Sequence, residues 1–151
     1  MFDMAKKRSA LPVACALGLL ALVPFAAGVY YAYSGYALDA RTALRWLLPY
    51  LATIVAFIGG VQWGRMLAAG RAAGLDMALA VVPAIVAWGA LLTAAPWRAI
   101  LLIAALLAAW LIDEHGARRG WQSRGFLQLR RLLTLVVTLC IVAIAWRVSR
   151  G

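Results

Sequence analysis

The chain has 151 residues, 66% of them hydrophobic and 13% charged, with a net charge of +10 and a mean hydropathy of +0.90. A soluble domain is roughly half apolar and a quarter charged, so this composition excludes an ordinary soluble fold and favours one membrane-embedded unit. The basic residues sit between apolar runs and form no stripe on a soluble surface, which excludes nucleic acid as a partner.

The reading in chain order is an all-α membrane protein, a bundle of five transmembrane helices. A basic tail (residues 1–10) carries Lys6, Lys7 and Arg8 and leads into a first span over residues 11–33. Pro24 interrupts this span and frees the carbonyl of Leu20, so a kink is expected there. A cleaved signal peptide is the rival reading, but the apolar run is longer than such a segment and lacks a clear small-x-small site. The second span covers residues 47–67 and the third residues 75–93. Pro83 frees Leu79 in the third span, and Asp76 at its start suits the positive end of the helix dipole.

The fourth span, residues 96–112, is short for a bilayer crossing, which takes about 20 apolar residues. The fifth covers residues 132–146 and draws on residues 126–131 for an interfacial first turn or two, ahead of a short tail at 147–151. Continuous apolarity without period-2 alternation selects helices over barrel strands.

Charge sets the expected orientation. Three segments share one side: the N-terminal tail, the connection with Arg65 and Arg71, and the connection from Arg118 to Arg131. Together they hold ten basic residues against five on the other side (Arg41, Arg45, Arg98, Arg147 and Arg150). The positive-inside rule then puts the N-terminus in the cytoplasm and the C-terminus outside, in a bacterial inner (cytoplasmic) membrane. Indoles agree with this arrangement. Trp46, Trp97 and Trp146 mark the outer ends of spans, and Trp63, Trp110 and Trp121 the inner ones. Trp88 falls inside a span, where its N–H is expected to need a protein partner.

The second span holds the most unusual local chemistry, Phe57-Ile58-Gly59-Gly60-Val61-Gln62-Trp63-Gly64-Arg65. Ala52, Ala56, Gly60, Gly64 and Ala68 recur every fourth residue and form one face of small side chains. Such ladders let helices approach closely in lipid. A contact with another span of the same chain is the expected use, and a seam between two copies is the alternative. Gln62 points about 160° away from Gly60 on the helix wheel. With Trp63, Arg65, Asp113 and Arg130 it makes a candidate polar cluster or binding site, in which Asp113 pairs with Arg65 or Arg130. Ordinary solvated interfacial charge is the plainer reading of those residues.

No catalytic residue, metal ligand or cofactor is assigned. His115 is the only histidine, and Asp113, Glu114 and His115 are consecutive, so a helix splays them apart. Cys15 and Cys140 lie in separate spans and read as small buried hydrophobes.

Tyr50, Ile54, Phe57-Ile58-Gly59-Gly60 and Trp63-Gly64 resemble the signature of domain-of-unknown-function family 3429, which includes mitochondrial transmembrane protein sixty-nine. The likeness extends over Gly18, Pro24-Phe25, Val82-Pro83-Ala84, Trp88, Asp113, Leu129-Arg130 and Leu133-Thr134, nearly the whole chain in order. The family pattern has histidine before the Trp-Gly pair, where this chain has Gln62. It has an aromatic pair before Leu-Arg, where this chain has Gly125-Phe126. The resemblance implies a small polytopic inner-membrane protein and supplies no activity.

The expected function is therefore an accessory, assembly or structural membrane component. Its partners are the bilayer and either another membrane protein or a second copy. The alternative is a small lipid- or quinone-binding protein or transporter with a pocket in the cytoplasmic leaflet around Gln62 and Asp113. The orientation is directly testable. A reporter enzyme that works only in the cytoplasm should be inactive when fused after Gly151 and active when fused before Met1; the reverse pattern refutes the assigned topology.

Overall fold

A computed structural model describes residues 4–36, 38–70, 74–120 and 123–151. Among them are six helices and no strand: α1 (Met4–Leu20), α2 (Val23–Ser34), α3 (Ala40–Ala69), α4 (Gly74–Leu91), α5 (Trp97–Arg118) and α6 (Arg124–Arg150). Five segments are long and apolar enough to cross a bilayer, with Pro12–Ser34 of α1 and α2 counting as the first.

The helix ends depart from the hydropathy boundaries because capping, not apolarity, sets them. Asp39 caps α3 by accepting from the Thr42 backbone N–H at 2.7 Å, so α3 begins well before its apolar stretch. That hydrogen bond is the main cause holding the Asp39 carboxyl below the usual carboxylate range. Ser123 accepts from Phe126 N–H at 3.4 Å and starts α6 ahead of residue 132. The proline effects also differ. At Pro24 the first span breaks into α1 and α2, whereas α4 runs through Pro83 without interruption. At the break the Tyr50 hydroxyl donates to the carbonyl of Ala21 at 3.2 Å, which supplies a partner that lipid lacks.

α3 is the centre of the bundle, in contact with α2, α4, α5 and α6. Its buried positions (Leu51, Val55, Ile58, Gln62 and Met66) follow helical spacing. Leu51, Val55 and Ile58 share the core with Leu102, Leu106 and Ala109 of α5 and Val137, Ile141 and Ile144 of α6. α2 is tied to α6 by Tyr33, whose hydroxyl donates to Ala143 O at 2.9 Å. α1 rests on α6, where Gly18 lies against Leu129 and Leu133.

Two sequence expectations need correction. Trp88 is 65% exposed and makes no hydrogen bond among the described residues. α4 ends at Leu91, so this indole sits within one turn of the helix end. Cys15 and Cys140 are free thiols, each half-buried.

The close crossing of α3 and α4 depends on Gly59. A Cβ there would lie 2.8 Å from the carbonyl oxygen of Ala80, a backbone atom that cannot swing aside. At Gly60 a Cβ would meet nothing within 4 Å. Gly59→Ala should therefore destabilise the protein by about 1–3 kcal/mol, the usual cost of overpacking, while Gly60→Ala should leave thermal unfolding in detergent unchanged. Equal effects at the two positions would contradict this crossing.

Candidate functional site

The polar cluster forms because the core stripes of three helices continue into polar residues at one end of the bundle. On α3 the stripe passes from Ile58 to Gln62, on α5 from Ala109 to Asp113, and on α6 from Thr134 back to Arg130. Helical spacing thus aims an amide, a carboxylate and a guanidinium at one point. Asp113 is 2% exposed, Gln62 3% and Arg130 9%.

Arg130 Nε donates to Asp113 Oδ2 at 2.9 Å. Gln62 Nε2 donates to Asp113 Oδ1 at 3.2 Å and to the Ala109 carbonyl at 2.9 Å. Of the two expected partners for Asp113, the ion pair is made by Arg130. Arg65 instead lays its guanidinium over the Phe126 ring, 3.7 Å from the centroid, while remaining close enough to feel the charges of Asp113 and Arg130. Trp63 points elsewhere and donates its indole N–H to the Met77 carbonyl at 2.8 Å, linking α3 to α4.

Two more ion pairs surround this centre, and neither is evident from spacing in the sequence. Asp76 does more than suit the dipole of α4: its Oδ2 accepts from Arg119 Nη1 at 2.8 Å, with His115 Nε2 4.0 Å from Oδ1. Glu114 receives Arg131 through two hydrogen bonds, at 2.5 and 2.8 Å, and the Trp110 N–H at 3.0 Å. The only signal for these pairs was that acids and arginines share one end of the bundle. Trp121 and Arg71 lie outside the described residues.

The space around the cluster is small. A void of about 30 Å³ lies between Phe57, Val61, Phe126 and the Asp113–Arg130 pair. Another of about 40 Å³ touches Arg130, Thr134 and Gly18. Ligand pockets are on the order of 300–1,000 Å³, so these voids admit neither a lipid nor a quinone. Chemically, the cluster compensates charge and locks α3, α5 and α6 in register. Among the described residues no group of three or more His, Cys, Asp or Glu side chains is placed to hold a metal ion.

The small-residue ladder is where the structure overturns the expected packing. Ala52 is buried, but Ala56, Gly60, Gly64 and Ala68 are exposed, and Gly60 and Gly64 have no neighbour to crowd an added Cβ. The intramolecular crossing uses Gly59, one residue along and about 100° around the helix. The ladder instead borders an open groove of about 530 Å³ between α3 and α4, whose α4 side is Ala80, Val81 and Ala84.

A helical bundle of five apolar spans held together by a buried ion pair defines a polytopic membrane protein. The chain belongs to the family described as "Protein of unknown function (DUF3429)", whose model matches residues 11–146. Comparisons with curated proteins and with solved structures gave no match.

Removing one partner of a buried pair strands the other charge. Asp113→Asn should cost roughly 3–5 kcal/mol, read as a lower melting temperature in detergent. Glu114→Gln, which breaks the more exposed pair with Arg131, should cost at most about 1 kcal/mol. A neutral Asp113→Asn would mean that the cluster is hydrated and contributes little.

Proposed function

We propose that the protein is an accessory membrane component of the bacterial inner membrane that docks a transmembrane helix of a partner protein in the α3–α4 groove. The observation that carries this reading is the unused ladder: Gly60 and Gly64 line an open groove, and a Cβ added at either would meet nothing within 4 Å among the described residues. Association in lipid relies on close backbone approach and van der Waals contact, because leucine and acyl chains are equally apolar. Small residues on two adjacent helices, Gly60 and Gly64 on α3 with Ala80 and Ala84 on α4, leave a trough suited to one more helix.

The narrow voids around Gln62 and Asp113 weigh against a lipid or quinone site at that cluster. The inner-membrane location and the cytoplasmic N-terminus rest on the distribution of basic residues, as argued from the sequence.

Extraction into native lipid particles, followed by mass spectrometry of co-purifying proteins, tests this function. A defined membrane protein should accompany the wild-type chain. Gly60→Leu and Gly64→Leu should each release it while leaving the melting temperature unchanged, because leucine fills the groove without touching the core. A dimer of the chain with no co-purifying protein would overturn the accessory reading in favour of self-association. Retention of the partner by both variants would overturn the groove as its seat.

A further inference from the structure

An arginine-lined cavity lies at the opposite end of the bundle from the buried ion pair. It has a volume of about 590 Å³ and opens between the start of α3, the α4–α5 turn with the start of α5, and the end of α6. Three arginines line it: Arg41 and Arg45 from α3 and Arg98 from α5. Among the described residues the one acid in the lining is Asp39, whose carboxylate is engaged by the Thr42 N–H. Arg41 and Arg45 make no hydrogen bond or ion pair within 4 Å among the described residues, although Asp39 feels the charge of both. Arg98 is held in place, its Nε and Nη2 donating to the Thr93 carbonyl at 2.9 and 2.6 Å.

Beside the arginines the lining is mostly apolar, with Leu44, Leu48, Ala99, Ala145 and Val148 next to Thr42 and Ser149; Leu48 on α3 and Ala145 on α6 lie farthest from the helix ends. The depth of the cavity is marked by indoles. Trp46, Trp97 and Trp146 adjoin the lining residues Arg45, Arg98 and Ala145 in sequence, and each is more than half exposed. Tryptophan collects at the headgroup level of a bilayer. Charge, shape and depth therefore coincide: an oxyanion is wanted at the arginines and a hydrocarbon chain along the apolar lining.

We infer that this cavity binds an anionic phospholipid, with its phosphodiester held by Arg41, Arg45 and Arg98 and the upper part of an acyl chain along Leu48, Ala99 and Ala145. Guanidinium groups suit phosphate because their paired N–H donors match two oxygens at once. The site lies at the other end from the polar cluster, and it is independent of the partner docked on the α3–α4 groove.

Native mass spectrometry of the detergent-solubilised protein, with phosphatidylglycerol or phosphatidylcholine added, reads the site directly. Wild type should retain phosphatidylglycerol at least about tenfold more tightly than phosphatidylcholine, a difference of about 1.4 kcal/mol. Arg41→Gln/Arg45→Gln should abolish that preference. This pair is chosen because Arg98 also supports the α4–α5 turn, so its loss would perturb the fold. Arg118→Gln/Arg124→Gln, which removes equal charge from the other end, should keep the preference. Absence of any preference in wild type, or its loss in both double variants alike, would overturn the proposal. Inorganic phosphate that displaces phosphatidylglycerol completely would also overturn it, by showing a soluble oxyanion site with no contribution from the acyl chain.

Discussion

Asp113 is a carboxyl side chain buried between three helices, and the bundle is organised around pairing it. Its two oxygens are met from different helices, one by Arg130 on α6 and the other by Gln62 on α3. A helix slip of one residue turns a side chain by about 100° and breaks both contacts. The pair therefore sets the register of α3, α5 and α6, which non-directional apolar packing leaves free. Gln62 adds a second tie by also donating to the carbonyl of Ala109, one turn before Asp113.

The central helix α3 divides its circumference into faces with separate tasks. One carries the apolar stripe and Gln62 into the core. A second, at Gly59, lets α4 come within contact of backbone. A third, at Gly60 and Gly64, remains on the surface. The two glycines of the Gly59-Gly60 pair are thus not equivalent, although they are adjacent and chemically identical. One is required by the fold, and the other is available to whatever lies alongside the bundle.

Much of this was legible in the sequence. Apolar runs of bilayer length gave five spans, and the side chains meeting at Asp113 follow from three helices continuing their stripes toward the same end. The seam was misassigned because a period of four describes a face without saying what lies opposite it. Gly59, which breaks that period, proved to be the crossing point. The start of α3 was missed because Asp39 caps it well outside the apolar stretch, whereas the early turns of α6 were expected from residue 126 and begin at Arg124, after the Ser123 cap. The Asp76–Arg119 and Glu114–Arg131 pairs were missed because partners on different helices have no fixed spacing along the chain. The same holds for the basic cavity, whose arginines lie on separate elements and meet only in three dimensions.

The break at Pro24 gives the two halves of the first span unequal footing. α2 buries Phe25, Gly28 and Ala32 and is held to α6 through Tyr33. The described side chains of α1 are all at least partly exposed, and its close approach to α6 is at Gly18. Local opening free energy follows such differences in burial. The tertiary contacts that resist local opening are therefore concentrated in α2, with the boundary at the carbonyl held by Tyr50. One transmembrane crossing thus comprises two segments of unequal anchorage, α2 held by both α3 and α6 and α1 resting mainly on α6.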